Sequence, residues 1–131
     1  MKTCRVEIVT FTEGERSRFT AVGQIAEHSE GFSAVYPAEE DEARLELAGD
    51  TLVMHRRGGS ELHARFRTGE AGEFRIGLME QSGRIPLDTQ ICTARRTSDG
   101  WRVALKYCLR FEGEVRIFRL NIAVNIISEE Q

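Results

Sequence analysis

The residues best equipped for chemistry cluster around one turn. Arg56 and Arg57 precede Gly58, and Arg65 follows shortly after. A guanidinium offers a planar fork of donors that matches a carboxylate or phosphate, so this stretch reads as an anion hook. The competing reading is structural, with an arginine satisfying loop carbonyls or pairing with a glutamate. His55 and His63 flank the same turn, and with an acid such as Glu61 they would make a three-ligand metal site with open positions. Their spacing matches no standard motif, and neither a metal nor a cofactor is expected. Tyr107 is a candidate polar handle inside the fold, because a buried phenol seeks a hydrogen-bond partner.

Other chemistries lack their signatures. Ser60, Ser82 and Ser98 sit in glycine turns, and none occupies a G-x-S-x-G elbow. Cys92 and Cys108 have no evident histidine partner for thiol catalysis. Gly58-Gly59 is a turn, not a phosphate loop. No catalytic residue is assigned.

The elements that must hold these groups are strands. Trp101, Val103, Leu105, Tyr107, Leu109 and Phe111 fall on every second position, which puts all six on one side of a ribbon. Similar runs span about Thr3–Thr12, Arg18–Glu27, Phe32–Tyr36, Arg44–Leu47, Leu52–His55, Leu62–Arg67, Phe74–Leu78 and Ile85–Thr93. Between them lie turn signals such as Glu13-Gly14-Glu15, Gly49-Asp50 and Ser98-Asp99-Gly100. Gly23 marks a bulge or bend, and Pro86 an edge or bulge. Ala38–Glu42 is a polar link, long enough for a short helical turn at most. The last run changes parity: Val115 and Ile117 lie on one side, and Phe118, Leu120, Ile122, Val124 and Ile126 on the other. A bulge near Ile117-Phe118 would reconcile them. Asn121 and Asn125 share a face with Arg119 and read as solvent-facing.

Composition bounds the rest. The 131 residues make one domain (1–131) with a real core. A net charge of −3 argues against a nucleic-acid partner. Acidic residues gather between Glu27 and Asp50, and basic ones after Thr51. Three cysteines without close spacing form no disulfide framework, which fits a reducing cytoplasm. Met1–Gly14 has no signal-peptide pattern, and no run is long enough to cross a membrane as a helix.

Three stretches carry a resemblance: Leu52-Val53-Met54-His55-Arg56-Arg57-Gly58, Phe66-Arg67-Thr68-Gly69, and Ser82-Gly83-Arg84-Ile85-Pro86-Leu87-Asp88-Thr89. With the closing strands at Trp101–Tyr107 and Arg119–Asn125, they resemble the YwiB-like family of small bacterial proteins of unknown function. The resemblance implies a calycin, that is, a lipocalin-like barrel. Relatives often carry a tyrosine near the position of Leu78, a departure that would alter the pocket here.

The expected fold is therefore all-β, an antiparallel lipocalin-like barrel of eight to ten strands. Closure removes sheet edges, and a barrel of this size holds side chains or one small ligand. The leading expectation is non-enzymatic binding of a small amphipathic or anionic ligand, with Arg56, Arg57 or Arg65 at the mouth and Tyr107 inside. The alternative is an interaction module, including a homodimer, acting through a strand edge or a patch with Val115, Ile117 and the acidic stretch. A hydrolase or lyase at the mouth is a third reading that no catalytic constellation supports.

Overall fold

The alternating pattern builds ten strands. The computed structural model describes residues 1–78 and 81–129. The strands are β1 (Lys2–Thr12), β2 (Glu15–His28), β3 (Gly31–Ala38), β4 (Asp41–Ala48), β5 (Thr51–Arg57), β6 (Ser60–Phe66), β7 (Ala71–Leu78), β8 (Gln81–Thr97), β9 (Gly100–Phe111) and β10 (Glu114–Glu129). Each pairs antiparallel with its neighbour in sequence, and β1 pairs with β10, so the sheet closes into an up-and-down, lipocalin-like barrel. No helix occurs among the described residues, and so none crosses a membrane. Closure also means that every strand has a hydrogen-bonded neighbour on both sides along at least part of its length, so the sheet has no edge strand. The Ala38–Glu42 link is not helical: Glu39 and Glu40 form a tight turn, with Glu39 at φ 59°.

We call the end where β1 begins the lower end. The turns at 29–30, 49–50 and 98–99 lie there, and those at 13–14, 39–40, 58–59 and 112–113 form the upper end. The lower half is densely filled. Cys4, Val6, Phe32, Ala34, Leu45, Leu52, Ala64, Phe66 and Val124 are all completely buried. Each large side chain of this set contributes about 1.5–3 kcal/mol by leaving water.

Two features shape the wall. At Gly23 an added Cβ would lie 2.1 Å from the Val35 carbonyl oxygen, so glycine lets β2 bend closely onto β3. The upper part of β2 pairs with β1 alone, and the β3 ladder starts at Gln24↔Val35. The second feature is a bulge in β8 between Thr89 and Ile91. The turn after β6 docks beside it: Gly69 N donates to Thr89 O at 2.9 Å, and Thr89 N to Glu70 O at 3.0 Å. The Thr68 hydroxyl also donates to Cys92 O and accepts from Cys92 N. Four residues thus stand in for a strand where β6 and β7 diverge.

β10 corrects the sequence reading. Its register with β9 runs unbroken from Glu114↔Phe111 to Asn125↔Gly100, with no bulge at Ile117-Phe118. Val115 and Ile117 simply face outward, 58% and 49% exposed. Glu114 and Arg116 take the inward positions, where the mouth admits water. The one irregularity involving β10 is at its other end, opposite Thr3/Cys4. Pro86 pairs with Glu73 of β7, just before the β9 ladder starts at Leu87, so its missing N–H deprives no β9 partner.

Candidate binding site in the upper half of the barrel

Cross-strand partners share a face, so the register identifies every inward residue. In the upper half these include Ile8, Phe19, Ala21, Tyr36, Met54, Arg56, Leu62, Phe74, Ile76, Ile85, Tyr107 and Phe118. Unlike the sealed lower residues, Ile8, Phe19, Met54, Leu62, Phe74, Ile85 and Phe118 are only partly buried, and Ile76 is 42% exposed. The inward wall is thus sealed below and partly uncovered above, a shallow cup of aliphatic and aromatic groups packed on the core. At the β5–β8 rim lies a cleft of about 470 Å³, lined by Arg56, Ser60, Leu62, Ile76 and Gly83 together with Glu61 and Gly77 of the opposite face.

The lower end is shut by a polar knot. Glu27 accepts Arg96 Nε at 2.7 Å and Trp101 Nε1 at 2.8 Å, and Lys2 Nζ lies 3.9 Å away. Arg96 is the main reason that the Glu27 carboxyl titrates below its ordinary range, with Trp101 and Lys2 adding to it.

The upper rim is organised by Asp41. Its Oδ2 accepts Arg56 Nε and the Ser60 hydroxyl, each at 2.8 Å, and its Oδ1 accepts Gly59 N at 2.7 Å. These bonds, Arg56 foremost, hold the carboxyl down at about 2. Gly58 is required in this turn: its φ is 140°, and a Cβ would lie 2.1 Å from Asp41 Oδ1. Arg56 Nη2 also approaches Ala38 O at 3.4 Å and Glu39 at 3.6 Å. Its Nη1 has no protein partner among the described residues. The guanidinium is fixed in place with donors left over, as a rim hook needs.

Tyr36 and Tyr107 are 7% and 6% exposed. Burial pushes both phenols up to about 12, with Arg56 pulling Tyr36 slightly back. Tyr107 lies between Phe66, with ring centroids 4.9 Å apart, and Phe118, stacked at 5.2 Å. Neither hydroxyl has a hydrogen-bond partner among the described residues.

The other arginines of the sequence reading lie elsewhere. Arg57 and Arg65 face outward, and Arg65 pairs with Glu70 at 3.0 Å. Thus Arg56 and Tyr107 share the interior, while Arg57 and Arg65 do not join them. His55 and His63 are cross-strand partners on the outer surface, with ring centroids 4.7 Å apart. Burial, then His55 and Arg75, lowers the His63 pKa. No group of three metal-ligating side chains forms among the described residues. Asn121 faces solvent, as read, whereas Asn125, on the same face of β10, is half-buried with its Oδ1 sealed from solvent. The Leu78 side chain lies outside the described residues. The sequence reading missed Asp41, Tyr36 and Thr89. Asp41 was hidden in an acidic run, and only strand pairing brings its partners to it.

A family model, Domain of unknown function (DUF1934), matches residues 3–122. The chain belongs to this DUF1934 family. No curated protein matches it. Among solved structures, the ywiB protein from Bacillus subtilis is similar with a TM-score of 0.64 at 14% identity, over 96% of this chain and 91% of that one. At that identity the likeness concerns the fold alone. It agrees with the YwiB-like resemblance carried by the β5–β8 turns.

Proposed function

We propose that this DUF1934 barrel binds a small amphipathic molecule with an anionic group, without transforming it. The observation that carries the proposal is the contrast between the two halves of the interior. Inward apolar side chains are sealed below and left partly uncovered above, beside a positioned guanidinium. Apolar parts of a ligand would gain about 25 cal/mol per Å² buried against Phe19, Phe74, Ile85 and Phe118. Its anion would add a charge-assisted bond to Arg56 at the rim. Free buried cysteines support placing the protein in a reducing cytoplasm.

Native mass spectrometry of protein purified from its own host tests this directly. A co-purifying small molecule at one per barrel is expected. Titration with the anionic amphiphile 1-anilinonaphthalene-8-sulfonate should give one saturable site, lost in the cup-filling variant Ala21→Phe and weakened in Arg56→Met. Fluorescence unchanged by both folded variants, with no co-purifying molecule, would overturn the reading.

The outward apolar pair Val115 and Ile117 favours a second reading, a protein-binding patch or a two-fold pair of copies. The acidic stretch is not part of that patch, since β1 and β2 stand between β10 and β3. A dimer in native spectra that Ile117→Lys dissociates would support it.

A further inference from the structure

Among the described residues Thr89 is the one polar residue of the fully buried set, 3% exposed, and its Oγ1 has no hydrogen-bond partner. Its backbone is already satisfied by Gly69 and Glu70, so the orphan is the hydroxyl alone. Thr89 is the cross-strand partner of Tyr107, whose hydroxyl has no protein partner among the described residues but is not sealed from solvent. Around them stand Leu87, Leu109, Phe66 and Phe118, none of which offers a side-chain hydrogen-bonding group. Buried hydroxyls nearly always find a partner, and the sealed orphan of Thr89, on the strand position opposite Tyr107 in an apolar wall, points to an oxygen or nitrogen atom from elsewhere. Valine at position 89 would fill the same space without this penalty.

We propose that Thr89 and Tyr107 form a second polar station on the floor of the cup, so that the ligand is polar at both ends. Its anionic head would sit at Arg56, and an oxygen function such as a hydroxyl or carbonyl would meet the floor hydroxyls. The ligand class is then an oxygenated amphiphile, such as an ω-hydroxy or keto acid, instead of a simple fatty acid. The inference rests on the binding function proposed above and specifies its ligand.

Competition calorimetry with ω-hydroxydodecanoate and dodecanoate, and with the shorter octanoate pair as a length control, tests it. The native protein should prefer a hydroxylated acid by about tenfold, the scale of one satisfied buried hydrogen bond. The double variant Thr89→Val, Tyr107→Phe should lose that preference and keep its affinity for the plain acid. It should also melt no lower than the native protein, because it removes the sealed, unpaired Thr89 hydroxyl and a phenol oxygen that makes no protein hydrogen bond. Equal binding of hydroxylated and plain acids, a preference that survives the double variant, or a lower melting temperature would each overturn the floor station alone. Binding of neither acid would overturn it together with the function on which it rests.

Discussion

Glu27 and Trp101, 74 residues apart in the chain, meet across the lower end of the barrel, where the indole N–H donates to Oε1 at 2.8 Å. The same oxygen accepts Arg96, and Phe32 packs against the indole with centroids 5.4 Å apart. One carboxylate therefore ties β2 to β8 and β9. Trp101→Phe should cost about 1–2 kcal/mol through the lost bond to a charged acceptor. Urea unfolding followed by circular dichroism would show a lower midpoint with an unchanged slope. A midpoint equal to that of the native protein would mean that the bond adds nothing.

Asp41 makes stability depend on acid. Its folded pKa is about 2, against about 3.9 for an unfolded aspartate. Between those values the unfolded chain binds more protons, so the contribution is complete above about pH 4 and is lost as pH falls toward 2. Asp41→Asn should be less stable than the native protein at neutral pH, and the gap should close on acidification. Parallel stability curves across that window would show that the rim bonds do not hold the carboxylate.

Gly23 is fixed by space. Its added Cβ would meet the Val35 carbonyl at 2.1 Å and the Tyr36 Cβ at 2.8 Å, and backbone cannot easily give way. Gly23→Ala should lose about 1–3 kcal/mol. Gly72→Ala is the control, since nothing lies within 4 Å of its Cβ, and it should stay within about 0.5 kcal/mol of native. Equal melting temperatures for the two variants would contradict the close approach of β2 and β3.

Cys92 should be chemically silent. It is 4% exposed, and burial pushes its thiol up to about 11. At pH 8 only about one molecule in a thousand would carry the reactive thiolate. Peptide mapping after iodoacetamide treatment should find Cys92 unmodified in the folded protein and fully labelled in urea. Rapid native labelling would place it at the surface.

Strand content and turn positions were legible because alternation is a local property. Trp101 to Phe111 kept one face inward as spaced, and Arg56 shares its inward parity with Leu52 and Met54. The rest depended on knowledge that local pattern lacks. Val115 and Ile117 suggested a bulge only on the premise that apolar residues point inward, and that premise weakens at an open mouth. Asp41 looked like one more acid in a run because its partners, Arg56, Gly59 and Ser60, reach it through the β4–β5 register. Thr89 gave no signal, since its burial follows from strand pairing around a bulge.

The seam between β1 and β10 has a price in time. During synthesis on the ribosome, β1 emerges first and its partner last, and that ladder spans nearly the whole chain. Until β10 arrives, β1 and β9 each present a raw margin of unpaired amides and carbonyls. The nascent sheet is most open to pairing with other chains in that interval, and the final stitch ends its exposure.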